Sequence, residues 1–160
     1  MTHGSVCAIM RGESGPLAGP ARYPSGGRQV SLRSGVVKVL YIEDNEDIAR
    51  VFAALMRLMV EVKTEVLLAA DGQEGVEVAL REKPDIIFMD EELPLLNGIE
   101  ATRRIRACKA LSKVPVVMVS AHLSQRDRTK RAQEAGITHW VAKPFEPEDL
   151  ENALRCALGP

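Results

Sequence analysis

The 160-residue sequence lacks the features that mark an exported, membrane-spanning or disulfide-stabilised protein. Its three cysteines, Cys7, Cys108 and Cys156, have neither the number nor the spacing of a disulfide framework or a CxxC metal site. No apolar run approaches the roughly 20 residues of a spanning helix, and Val6–Met10 is too short for the core of a signal peptide. We therefore expect a soluble, cytoplasmic protein with no membrane partner.

Strong charge of one sign and nucleotide-binding loops are also absent. The formal net charge is −1, so no global basic field favours a nucleic-acid partner. The sequence has no GxxxxGK[ST] or GxGxxG loop, the glycine-rich patterns whose backbone amides hold nucleotide phosphates. Any phosphate chemistry is therefore expected without a nucleotide held in such a loop.

The chain divides into two segments of different composition. Residues 1–35 contain seven Gly, three Pro and five Ser, carry a net charge of +3, and show neither helical nor strand periodicity. We interpret this segment as a flexible arm. From Val36 to the end at Pro160, short apolar runs alternate with amphipathic segments, which predicts one folded domain over 36–160.

The folded segment is predicted to be an α/β sandwich. Its apolar runs are nearly continuous, which is typical of parallel strands buried on both faces by helices. Five strands alternating with five helices predict a doubly wound parallel sheet, and such sheets bind ligands at the carboxyl ends of their strands. The five runs span residues 36–42, 64–69, 85–89, 116–120 and 139–142, and the fourth helix is expected over 124–135.

Polar residues follow these runs at the expected carboxyl edge of the sheet. They are Glu43 and Asp44 after the first run, Asp90 after the third, Ser120 in the fourth and Lys143 after the fifth. Three carboxylates brought together would repel one another unless a cation lies among them, and ligands that are all oxygen favour Mg²⁺. Because Mg²⁺ often completes its shell with phosphate oxygens, the set indicates phosphate chemistry.

Asp90 is the candidate nucleophile of that chemistry. An aspartate can form an aspartyl phosphate when a metal and a cation neutralise the transferring group. Lys143 would supply that positive charge, and Ser120 would donate a hydrogen bond to a phosphoryl oxygen.

Four segments in this order resemble the receiver domain of bacterial two-component response regulators, over residues 36 to 160. They are VLYIEDNED, DIIFMDEELPLLNGIEATRRIR, PVVMVSAH and WVAKPF. The resemblance implies a flavodoxin-like fold with strand order 2-1-3-4-5. It also implies that Asp90 accepts a phosphoryl group from a histidine kinase or a histidine phosphotransfer protein.

The resemblance further implies a metal site and a switch. Asp44, Asp90 and the backbone carbonyl of Glu92 would hold Mg²⁺, with Glu43 acting through water. Ser120 would move toward the phosphoryl group while an aromatic residue, here Trp140, turns inward and remodels the face of the fourth helix, fifth strand and fifth helix. The Lys143–Pro144 bond is expected to be cis.

Two positions that flank the phosphoryl group depart from the common pattern. They are Glu92, two residues after the acceptor, and His122, two residues after Ser120. Our hypothesis is that these side chains approach each other and set the lifetime of the phosphoryl group. Equal phosphoryl half-lives in the wild type and a Glu92→Ala, His122→Ala variant would refute it. Glu91, by contrast, is expected to face solvent.

Three functions are compatible with these residues. The first is a phosphorylation switch that is no enzyme beyond its own phosphorylation and dephosphorylation, and that signals to an unidentified downstream protein or relays the phosphoryl group. The second is a degenerate receiver that binds partners without phosphorylation. The third is a phosphatase of the haloacid dehalogenase type, which is disfavoured because that family needs an Asp where this sequence has Glu92.

Overall fold

The computed structural model describes residues 35–58, 62–121, 126–137 and 139–159. These residues form five strands and five α-helices in strict alternation, with one short 3₁₀ helix before the fourth strand. The predicted arm, residues 1–35, lies outside the described residues except for Gly35. None of the described helices is long and apolar enough to cross a membrane.

The five strands form one parallel sheet in the order β2-β1-β3-β4-β5. Their register aligns Asp90 with Val119 and Ser120 with Ala142, so the carboxyl ends of the three last strands lie at one edge. The strands are β1 Val36–Ile42, β2 Lys63–Ala69, β3 Ile86–Asp90, β4 Val116–Ser120 and β5 His139–Ala142.

The helices begin where polar side chains can accept hydrogen bonds from free backbone amides. Asn45 Oδ1 accepts from the amides of Asp47 and Ile48 at the start of the first helix, and Asn97 accepts from the amide of Glu100 at the start of the third. The helices are α1 Glu46–Leu58, α2 Gly72–Glu82, α3 Gly98–Ala107, α4 Arg126–Glu134 and α5 Pro147–Leu158, and the 3₁₀ helix is Lys109–Leu111.

Two apolar cores lie on the two faces of the sheet. The first joins β1, β3 and β4 to residues of α2 and α3 and includes Met89, Met118 and Trp140. The second joins the same strands to α1 and α5 and includes Phe52 and Phe88, whose rings meet edge to face with centroids 5.0 Å apart. Every residue of β3 and β4 is buried, which is the pattern expected of strands covered on both faces.

The predicted fold class and strand order are confirmed. The strand boundaries differ from the expected ones by at most one residue, because β2 begins at Lys63 and β3 covers 86–90. The fourth helix was expected from Ser124, but residues 122–125 lie outside the described residues, and the observed helix begins at Arg126.

Candidate functional site

The polar residues after the strands come together at the carboxyl edge of the sheet. Glu43, Asp44 and Asp90 each place a carboxylate oxygen within 4.8 Å of the other two. Glu43 and Asp90 are buried, with 3% and 6% of their surface exposed, while Asp44 is exposed. The parallel strands therefore bring these three residues together, as their positions after the apolar runs predict. We call Glu43, Asp44, Asp90 and Lys143 the acidic rim.

Lys143 supplies positive charge to the acidic rim. Its Nζ lies 2.6 Å from Glu43 Oε2 and 3.2 Å from Asp90 Oδ2, and its amide donates to the carbonyl of Ser120. Burial alone would lower the pKa of Lys143, but the hydrogen bond to Glu43 and the negative charges around it outweigh burial, so that the pKa is raised. Lys143 is therefore a cation held between two of the three carboxylates. The Lys143–Pro144 bond that follows is cis, as the resemblance implied.

Asp90 is held in an environment that disfavours its negative charge. Burial raises its pKa, Lys143 lowers it, and the charge of Glu43 raises it again, with a net increase. The amide of Glu92 lies 3.4 Å from Asp90 Oδ1. One cation thus only partly neutralises the carboxylates, and a second cation would be favoured at this edge of the sheet.

Tyr41 is a member of the site that sequence reasoning missed. Its hydroxyl donates to Glu43 Oε2 at 2.7 Å, and burial together with the charge of Glu43 raises the pKa of the phenol. The amide of Asn45 donates to the other oxygen, Oε1. The signal was present in the sequence, because Glu43 directly follows β1, two residues after Tyr41, and residues two apart in an extended chain share a face.

The position of Glu91 corrects the expectation that it faces solvent. Glu91 is only 5% exposed, and the Ser120 hydroxyl donates to its Oε2 at 2.7 Å. Ser120 is itself buried at the end of β4, one residue after Val119, which is aligned with Asp90 on β3. The hydroxyl predicted to meet a phosphoryl group is therefore directed to a second carboxylate in this structure.

The remaining predicted residues occupy different environments. Trp140 is buried in the first apolar core beside Met118, so the sheet accommodates this large ring in an inward position. Glu92 is exposed, in the loop after β3. His122 lies outside the described residues, so the structure does not test its approach to Glu92.

A close backbone approach fixes the loop that follows Asp90. A β-carbon on Gly98 would overlap the carbonyl oxygen of Asp90, so only glycine lets the start of α3 approach this closely. The amide of Gly98 also donates to the carbonyl of Glu91 at 3.1 Å. The segment from the acceptor strand to α3 is thereby held as a compact loop against the acidic rim.

This fold and this site define the class of the protein. The response regulator receiver domain model matches residues 39–155, which is most of the chain. The chain belongs to this family, and it is a receiver domain of two-component signal transduction, whose expected function is a phosphorylation-dependent switch.

Curated relatives include regulators of transcription. The chain is 38% identical over 122 residues to the transcriptional regulatory protein PdtaR of Mycobacterium tuberculosis strain H37Rv, a match that covers 76% of this chain and 56% of PdtaR. It is 30% identical to the transcriptional regulatory protein LiaR of Bacillus subtilis, over 76% of this chain and 56% of LiaR. The chain thus spans about half the length of these two relatives.

Solved structures show the same fold. The receiver domain of the sensor histidine kinase PA1611 from Pseudomonas aeruginosa, crystallised with a magnesium ion in its active-site cleft, is 35% identical and has a TM-score of 0.70, covering 78% of this chain and 98% of that domain. The chemotaxis protein CheY4 of Vibrio cholerae is 26% identical, also with a TM-score of 0.70, covering 77% of this chain and 99% of CheY4.

Proposed function

We propose that this domain is a switch in which Asp90 accepts a phosphoryl group from the phosphohistidine of a histidine kinase or phosphotransfer protein. A carboxylate oxygen of Asp90 attacks phosphorus, the phosphorus–nitrogen bond breaks, and its electron pair goes to the imidazole. The observation that carries the proposal is the joint position of three carboxylates within 4.8 Å and of Lys143 Nζ 3.2 Å from Asp90.

The donor set fits Mg²⁺. All the side-chain ligands are carboxylates, the preferred ligands of hard divalent ions. Asp44, Asp90 and the carbonyl of Glu92 would hold the ion directly. Glu43 would act through water, which is consistent with hydrogen bonds already made to both of its oxygens. When bound, the ion neutralises negative charge on the phosphoryl oxygens during transfer.

The residues of this chain perform the other parts of the transfer. Lys143 places a positive charge beside the carboxylate that reacts, and its raised pKa keeps that charge in place at neutral pH. Ser120, at the end of the neighbouring strand, donates a hydrogen bond to the bound phosphoryl group. Trp140 and the α4-β5-α5 face pass the change to a downstream protein, or the phosphoryl group is relayed further.

We propose the domain boundaries, location, partners and range of chemistry together with this function. Residues 36–160 form the receiver domain and 1–35 a flexible arm. The protein acts in the cytoplasm, with protein partners rather than nucleic acid or membranes. Its chemistry is limited to its own phosphorylation and dephosphorylation, with Glu92 and His122 tuning the second step. The phosphatase alternative gains no support, because the exposed Glu92 stands where an Asp would be needed.

Intact mass after incubation with acetyl phosphate tests the proposal. We expect wild type to gain one phosphoryl group in the presence of Mg²⁺ and not without it, because Mg²⁺ neutralises the transferring group. Asp90→Asn should gain none. Asp47→Asn is the matched control, since it removes the same charge from an exposed position of α1 and should gain the group as wild type does.

A wild type that gains no phosphoryl group would favour the degenerate binding module instead. A gain that persists in Asp90→Asn would place the acceptor elsewhere. Once phosphorylation is established, the single tryptophan, Trp140, offers a fluorescence signal for its kinetics.

A further inference from the structure

A buried carboxylate that the proposed transfer does not use lies directly after the acceptor. Glu91 is 5% exposed, and its Oε2 accepts a hydrogen bond from the equally buried Ser120 at 2.7 Å. Burying an ionised carboxylate is unfavourable unless hydrogen bonds stabilise it. A hydrogen bond to a charged acceptor is also stronger than one between neutral groups. The contact between Ser120 and Glu91 is therefore expected to hold the hydroxyl firmly.

Backbone hydrogen bonds hold the chain around this contact. The amide of Glu91 donates to the carbonyl of Val119, and the amide of Gly98 donates to the carbonyl of Glu91. Asp90 is aligned with Val119 on β4, and Ser120 directly follows Val119. The same hydroxyl is thus placed to serve either Glu91 or a group attached to Asp90.

We propose that Glu91 is a positioning residue that retains the Ser120 hydroxyl in the resting form and thereby sets how readily phosphorylation switches the domain. This inference rests on the proposed function, in which Ser120 donates to a phosphoryl group on Asp90. A serine hydroxyl has one proton to donate, so it can bond only one of the two acceptors fully. Binding of the phosphoryl group must break the bond to Glu91, which opposes the switched form.

A double-mutant cycle between Glu91 and Ser120 tests this competition. The probe is beryllofluoride, an anion that binds a carboxylate as a phosphoryl group does, titrated calorimetrically into the full chain with saturating Mg²⁺. Glu91→Met removes the acceptor while keeping the length of the side chain. We expect it to bind beryllofluoride about tenfold more tightly than wild type, because Ser120 is released. Glu91→Gln should lie between the two, since its amide oxygen is a weaker, neutral acceptor.

The Ser120→Ala background separates retention of the hydroxyl from simple charge repulsion. If Glu91 acts through Ser120, the gain from Glu91→Met disappears when Ser120 is Ala, and the two substitutions show strong coupling. If Glu91 only repels the anion, the gain persists in that background, and the proposal is overturned. Glu46→Gln is the charge control, because it removes an acid whose side chain is 80% exposed, and it should bind as wild type does.

The titration also distinguishes this proposal from the proposed function. Beryllofluoride binding by wild type with no change in Glu91→Met overturns the role of Glu91 alone. No binding by wild type contradicts the proposed function and the role of Glu91 with it. Thermal unfolding of each variant verifies the fold, and Glu91→Gln, which keeps the shape of the buried side chain, serves if Glu91→Met does not fold.

Discussion

Two partly buried cations, Lys143 and Arg106, stabilise this fold in different ways. Lys143 lies in the acidic rim, 2.6 Å from Glu43 and 3.2 Å from Asp90. Arg106, on α3, donates instead to neutral carbonyl oxygens: those of Leu111 at 3.0 Å, Val114 at 2.5 Å and Gly136 at 3.0 Å. We call this second group the Arg106 corner, and burial lowers the pKa of its guanidinium.

The two sites differ in how much negative charge remains uncompensated around the cation. The guanidinium of the Arg106 corner donates to three carbonyls from two segments, so its role is to connect α3 to the segments before β4 and β5. The acidic rim holds three carboxylates against the single cation Lys143, which fits the divalent cation proposed above. The excess of like charge at the acidic rim, which the Arg106 corner does not have, is the feature expected of a functional site rather than of a structural contact.

Lys143→Met should have the largest effect and should alter chemistry. We expect the rate of phosphorylation by acetyl phosphate to fall about 100-fold, because a charge that stabilises the transferring group is lost. The time course of intact mass with Mg²⁺ measures it.

Arg106→Met is the matched control for that loss, because it removes a cation from the same domain away from the acidic rim. Its phosphorylation rate, measured at a temperature where it is folded, should stay within about twofold of wild type. Equal losses of rate in the two variants would break the distinction between the two cations.

Arg106→Met should instead reduce stability. Its removal leaves three carbonyl oxygens without this donor, and we expect the free energy of unfolding to fall by about 3 kcal/mol. Urea unfolding measures the change, and Mg²⁺ should not restore the loss. A stability within about 0.5 kcal/mol of wild type would show that water replaces the guanidinium without cost.

Asp90→Asn should have the smallest effect on stability, and it should raise stability where Arg106→Met lowers it. Because the pKa of Asp90 is raised in the folded state, its ionised form destabilises the fold at neutral pH. We expect the variant to unfold roughly 3 °C higher than wild type without divalent ions, and Mg²⁺ to abolish the difference.

The pH dependence of the stability gain in Asp90→Asn follows from the upward direction of the pKa shift of Asp90. Protonation of Asp90 removes the charge that destabilises the folded state. The stability gained by Asp90→Asn should therefore be full at pH 7 and should shrink as pH falls through the raised pKa of Asp90 toward its ordinary value of 3.8. Thermal unfolding of both proteins across this range measures it. A gain that grows toward acid pH would show that the carboxylate is stabilised rather than strained.

The sequence predicted the fold well because its signals were local and agreed with one another. Continuous apolar runs marked all five strands to within one residue, and the alternation with amphipathic segments indicated the parallel sheet. The 3₁₀ helix Lys109–Leu111 was not predicted, since three residues are too few for a periodic pattern.

The sequence predicted which residues of the acidic rim converge, but it did not predict all of their contacts. Glu43, Asp44, Asp90 and Lys143 come together as expected, because residues after parallel strands share one edge of the sheet. Glu91 was expected in solvent, since a loop acid usually is exposed, but it is buried against Ser120. That outcome depends on how the loop closes onto β4, which no local pattern encodes.

The sequence alone determined which polar residues meet at the carboxyl edge of the sheet, because strand periodicity and parallel order fix the edge at which side chains emerge. Tertiary structure decided which partners those side chains have, since hydrogen bonds such as Ser120 to Glu91 and Tyr41 to Glu43 depend on ångström distances between packed elements. Burial, and with it the raised pKa of Asp90, likewise arises only when both apolar cores close around the sheet.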